Sequence, residues 1–183
     1  MISEQHWQPG NRAQWLAVVT TVVLSGVLAF GLPRLAEATA PQDQAITAGE
    51  RVEAGGVSIE VPAGWATNAG AAILAINKGD AANLILFPPA ADPTTPADAV
   101  QAQAATFTDA TVGDVSTFTT DSGLDAAMVE VEQAGQINVY VAFTDGTNLG
   151  SGQLNAPTDG WDAIKAEVES MLRTVEFTGG ASS

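Results

Sequence analysis

The sequence predicts an α+β domain carried on a single membrane-spanning helix. Residues Ala13 to Leu32 (AQWLAVVTTVVLSGVLAFGL) carry no charge, and at 1.5 Å per residue they are long enough to cross a hydrocarbon core of about 30 Å. Beyond them, several segments alternate apolar and polar residues with period two and are separated by short turn signals. Two other segments carry apolar residues at three- and four-residue steps. Consecutive strands joined by short turns, with two separated helices, imply an antiparallel β-sheet packed with two α-helices.

The N-terminal region is expected to be a short cytoplasmic segment (1–12), a transmembrane helix (13–32) and a linker (33–50). Two Ala-x-Ala triplets, Ala36-Glu37-Ala38 and Ala38-Thr39-Ala40, follow the apolar run and have the form of signal-peptidase sites. Retention is the expectation, because the run exceeds the roughly 7–15 residues of a signal h-region and Pro41 would follow the second site. Arg12 and Arg34 flank the span almost symmetrically. The acidic domain after it would be repelled by an anionic cytoplasmic leaflet, so the N-terminus is set inside and the domain outside. Ala13, Ala17, Thr21, Ser25 and Ala29 recur every fourth residue. Such a small-residue stripe lets two membrane helices approach closely, and it points to a membrane-protein partner.

The formal net charge is −15, from 21 acids and 6 bases. A surface this acidic repels nucleic acid, and no Lys/Arg cluster could grip phosphates. The chain has no cysteine, which excludes disulfides, thiol chemistry and a lipidated N-terminal Cys.

The extramembrane domain is expected over 51–178. Val57, Ile59 and Val61 alternate with Ser58 and Glu60 in a strand stopped by Pro62, and Pro62-Ala63-Gly64-Trp65 is a turn. Runs at 71–77 and 83–87 flank Lys78-Gly79-Asp80 as a hairpin, with Pro88-Pro89 ending the second. Thr95, Pro96 and Asp98 begin a helix as N-cap, first helical residue and capping-box acid, and Val100, Ala104 and Phe107 share a face. Strands are expected over 111–119, around Ala127–Val131 and over Ile137–Phe143. Asp145-Gly146 turns into a weak strand near 149–154. The last helix is capped by Asp159. It carries the stripe Trp161, Ile164, Val168, Met171, Leu172 and Val175, with Lys165 and Glu169 as an i,i+4 pair. A mobile tail is expected at 179–183.

Three of these features, taken together, resemble the PsbP-like fold and especially the actinobacterial LpqN/LpqT envelope proteins. They are the strand closing on Val61-Pro62-Ala63-Gly64-Trp65, the mid-chain helix, and the meander entering a terminal helix with Trp161 and Met171-Leu172-Arg173-Thr174-Val175. The resemblance implies an extracytoplasmic, non-catalytic module that binds protein or lipid partners. PsbP-type domains serve as extrinsic subunits of a photosynthetic complex, which makes a respiratory or transport assembly a reasonable analogue. LpqN-type proteins typically carry a lipobox cysteine; this chain has a helical anchor instead.

The chemistry available to the domain is narrow. The sole histidine, His6, precedes the anchor, so Ser–His–Asp and Cys–His mechanisms and the usual zinc sites are unavailable to the domain. No phosphate-binding glycine loop occurs. No cofactor, metal site or catalytic residue is expected. Asp121 and Asp125 form a tight acidic pair, which reads first as a turn between strands and only second as a glycosidase-type pair. Trp65 and Trp161 are candidates for a ligand groove, against a more ordinary role as core residues. The expected function is an accessory or interaction subunit of a membrane complex. The alternative is an anchored binder of a lipid or other apolar ligand.

Overall fold

The computed structural model describes residues 44–46, 49–69 and 73–179. The expected span 13–32 with its stripe Ala13, Ala17, Thr21, Ser25 and Ala29 lies outside the described residues, as does the tail beyond Gly179. Among the described residues no helix is long and apolar enough to cross a membrane.

The main sheet is antiparallel and nine-stranded. Its spatial order is β1 (Gln44–Ala45), β4 (Ala66–Ala69), β5 (Leu74–Asn77), β6 (Asn83–Ala91), β11 (Asn148–Pro157), β10 (Gln136–Thr144), β9 (Asp125–Gln133) and β7 (Thr111–Val112), with β8 (Ser116–Thr119) also paired to β9. A second sheet of three strands runs β12 (Glu176–Phe177), β3 (Val57–Val61) and β2 (Glu50–Ala54). Two helices, α1 (Pro96–Ala104) and α2 (Thr158–Arg173), complete the described elements.

Period-two alternation decides which side chain enters which layer. On β10, Ile137, Val139, Val141 and Phe143 join α2 and the small sheet in one core. Tyr140 and Ala142, pointing the other way, pack under α1 with Ala127, Val129 and Val131. Strands β9 and β10 are therefore covered on both faces. α1 begins as its sequence dictates, with Thr95 accepting from the Asp98 N–H at 3.2 Å and Pro96 in the first turn. It ends at Ala104, yet Phe107 still packs on this layer, its ring 5.5 Å from that of Tyr140.

Several elements differ from the sequence expectation. The paired structure starts before Arg51: β1 lies in the segment read as linker, and Ile46 is 4% exposed. β6 continues through Pro88-Pro89 because its register against β11 slips there, between Leu149 and Ser151. Two prolines face one residue of the partner strand at this bulge, where ladder donors are not required. The stretch 111–119 is two strands broken at 113–115, since three residues there face two of β9. β11 is ten residues long and central, although its sequence is rich in Gly, Ser and Asn. Its weak pattern follows from tight packing, because a Cβ on Gly152 would lie 2.6 Å from Leu86 Cδ2 and 3.0 Å from Val141 Cγ1. α2 starts at Thr158, and Asp159 lies in its first turn without serving as the cap. Lys165 turns away from Glu169 to pair with Glu130 on β9.

Candidate functional site

Helix α2 is the element on which the charged and aromatic groups of the domain converge. Its apolar side (Trp161, Ile164, Val168, Met171, Leu172) is buried. Its flanks carry two clusters of similar construction. Trp65, delivered by the turn after β3, donates its indole Nε1–H to Glu167 Oε1 at 3.1 Å. Lys78 pairs with the other oxygen of the same carboxylate and lies 5.5 Å from the Trp65 ring centroid. Trp161 donates its Nε1–H to Glu130 Oε2 at 3.0 Å, while Lys165 Nζ sits 2.7 Å from Glu130 Oε1. In each cluster one carboxylate oxygen serves an indole and the other an ammonium.

The electrostatics follow from this sharing. Partial burial works to raise the Glu167 carboxyl, but hydrogen bonds from Lys78 and Trp65 outweigh it and hold the group below its ordinary range. The hydrogen bond to Glu130 pushes the Lys165 ammonium up, against a smaller opposing effect of burial. Trp65 is 1% exposed and Trp161 is 5% exposed. Both candidate groove residues are thus core side chains whose polar edges are satisfied, the ordinary arrangement for a buried Trp.

The other sequence candidates are also built into the framework. Asp121 and Asp125 stand at the turn between β8 and β9. The Asp121 N–H donates to Arg173 O at 2.8 Å, and Asp125 pairs in register with Thr119 and Thr144. Inside that turn Thr120 is buried and Ser122 Oγ donates to Val175 O at 2.8 Å, which ties the turn to the end of α2. Tyr140 lies beneath α1, and burial pushes its phenol up. Among the described residues, no group of three His, Cys, Asp or Glu side chains could hold a metal ion.

A surface site emerges at the opposite edge from β1. Strands β7 and β8 pair with β9 alone among the described strands, so their outer edge is open. Between this edge and α2 run two adjoining clefts of about 170 and 310 Å³ that share Ser116, Met128 and Glu169. Arg173 lies at one end with its guanidinium 5.4 Å from the Phe118 ring centroid, and it makes no ion pair among the described residues. Asp114 and Lys165 line the other end. Val112 and Val115 are 47% and 37% exposed, and they are the exposed large apolar side chains of the described residues. Little in the amino-acid pattern marks this site. The stretch 111–119 read as one plain strand, and Arg173 stood out only as part of the terminal-helix motif.

No protein-family model matches the chain, and no curated protein matches it in sequence. The solved structures that resemble it in shape include the following two. One is a protein of Bacteroides thetaiotaomicron VPI-5482, with a TM-score of 0.47 and 14% identity, over 75% of this chain and 51% of that one. The other is the solution structure of cyanobacterial PsbP (CyanoP) from Synechocystis sp. PCC 6803, with 16% identity and a TM-score of 0.53, over 79% of this chain and 99% of that one. Identity this low carries the architecture and nothing finer. The antiparallel sheet with its two helices has a PsbP-like fold.

Proposed function

We propose that this chain is a non-catalytic, membrane-anchored extracytoplasmic protein that serves as an accessory subunit of a bacterial membrane complex. It would be related in kind to envelope proteins of the LpqN/LpqT type. The observation that carries the reading is the open edge of β7 and β8. It places exposed Val112 and Val115 beside the cleft that holds Arg173, an arrangement suited to protein contact. The interior supports the same reading. One face of the main sheet is packed under α2 and the small sheet, the other is packed over β9 and β10, and Trp65 and Trp161 hold α2. The uncharged run 13–32 supplies the anchor.

The lipid-binding alternative calls for an apolar cavity between sheet and helix. That interface is occupied by Trp161, Ile164, Val168, Met171 and Leu172, each nearly inaccessible. The test is a pull-down of the full-length tagged protein from native membranes in mild detergent, followed by mass spectrometry of proteins and lipids. Stoichiometric membrane proteins support the accessory-subunit reading. A stoichiometric lipid with no protein would replace it.

A further inference from the structure

The open edge has the features of a surface that pairs with another strand. The segment Thr111–Thr119 (TVGDVSTFT) contains no proline and no basic residue, and Asp114 is its single charge. Exposed sheet edges are ordinarily blunted by Lys, Pro, inward-pointing charges or a covering element. Here the edge strands are short, two and four residues, and irregular at 113–115, yet Val112 beside that irregularity and Val115 within it stay exposed.

We propose that this edge pairs antiparallel with the same edge of a second copy of the chain, joining two main sheets across a two-fold axis at Val115. The inference rests on the reading of the edge as a protein-contact surface and names its partner. An isologous contact requires a self-complementary patch, and the charges here have that property. Asp114, Ser116 and Phe118 face the α2 side, Asp114 and Ser116 as cleft-lining residues and Phe118 against the core and Arg173. Antiparallel pairing about Val115 sets Asp114 of one copy opposite Ser116 of the other and diagonal to Phe118. Arg173 lies over the Ser116–Phe118 stretch, with Glu169 lining the same cleft, and makes no ion pair among the described residues. The two-fold repeats the match, so each copy offers one acid and takes one. On the opposite face the same pairing brings the two Val115 side chains together and covers them. The net charge of −15 on each copy opposes association. At physiological salt the Debye length is about 8 Å, which screens the distant repulsion more than it screens pairs in contact at the seam.

The chain's lack of cysteine allows a direct test. Full-length Val115→Cys protein in membranes is exposed to a mild oxidant, with Asp80→Cys in the exposed β5–β6 turn as the control. The proposal expects a covalent dimer of the chain from Val115→Cys and none from Asp80→Cys. On the Val115→Cys background, Asp114→Arg or Arg173→Asp alone should each lower the dimer yield at least about fivefold, the scale of the two exposed ion pairs lost and two repulsions gained across the two-fold. The two together should restore it. A disulfide from Val115→Cys to a different protein would overturn self-pairing while leaving the protein-contact reading intact. No dimer would overturn self-pairing, and the protein-contact reading falls separately if no protein co-purifies in the pull-down. Equal dimer from both cysteine positions would also overturn the proposal, since it would mean association through other parts of the chain.

Discussion

Trp65 and Glu167, 102 residues apart, are joined by a hydrogen bond of 3.1 Å from the indole Nε1–H to Oε1. The bond fixes one flank of α2 to the turn after β3, and Lys78 completes it on the remaining oxygen. The Trp161–Glu130–Lys165 cluster does the same on the other flank, from β9. The helix is thus positioned by burial of its apolar side and registered by two polar clusters.

The Glu167 cluster gives the domain an acid-sensitive component. Its carboxyl is held below the ordinary value of 4.5. Its stabilisation is therefore fully present above that value and is lost as the pH falls through the lower folded value. Glu167→Gln should cost about 1 kcal/mol at pH 7, allowing for partial exposure. Thermal unfolding of both proteins from pH 7 to pH 2 should show the gap closing in acid.

Lys165 carries the opposite sign. Its ammonium is raised above the ordinary 10.5, so its contribution is complete below that value and is lost as pH rises through the folded value. The side chain is 41% exposed and the pair is screened by salt. Lys165→Met should therefore lower stability at pH 7 by under about 1 kcal/mol, with the loss shrinking at 1 M salt. Denaturant unfolding at two salt concentrations checks this.

Trp161 separates packing from hydrogen bonding. Trp161→Ala should cost about 3–5 kcal/mol by leaving a cavity under α2. Trp161→Phe keeps most of the volume but strips Glu130 of a donor, for about 1–2 kcal/mol. Urea midpoints at unchanged m-values would measure both.

Two turn and strand positions test the backbone. The β9–β10 hairpin closes with Ala134 at φ 52° and Gly135 at φ 77°, the positive pair that a type I′ turn requires. Ala134→Gly should stabilise by about 1 kcal/mol, because it removes the left-handed penalty of a Cβ residue. Gly152→Ala should destabilise by about 1–3 kcal/mol, since Leu86, Val141 and the backbone oxygen of Ile85 surround the new methyl group. Opposite shifts in Tm are expected, and shifts of the same sign would count against the packing described for β11.

The elements legible in the sequence were those whose local chemistry agreed with their surroundings. The cap at Thr95, the α2 stripe from Trp161 to Leu172 and the alternation of β10 all reappear as read. The failures have local physical causes. β11 hides because central packing demands Gly152 where a strand former would be expected. β6 outlasts Pro88-Pro89 because a bulge tolerates them. Ile46 looked like linker because a two-residue strand leaves no periodicity. The site was the least legible part. Whether Val112 and Val115 are covered depends on the arrangement of strands around them, and Arg173 gains meaning only through its place over Phe118. The indoles were visible, but their partners Glu130 and Glu167 come from distant elements.

The central claim is that this is an interaction subunit working through the β7–β8 edge. The direct measurement is native mass spectrometry of the full-length protein drawn from native membranes in mild detergent, beside the Val112→Lys/Val115→Lys variant. Both valines are exposed, so the variant should keep the wild-type Tm. The account predicts that the wild type retains residues 1–40 and carries a second copy of the chain together with stoichiometric membrane proteins, whereas the variant loses the second copy. A wild-type chain that begins near Thr39 or Pro41 and travels alone, or a variant that holds the second copy equally well, would contradict it.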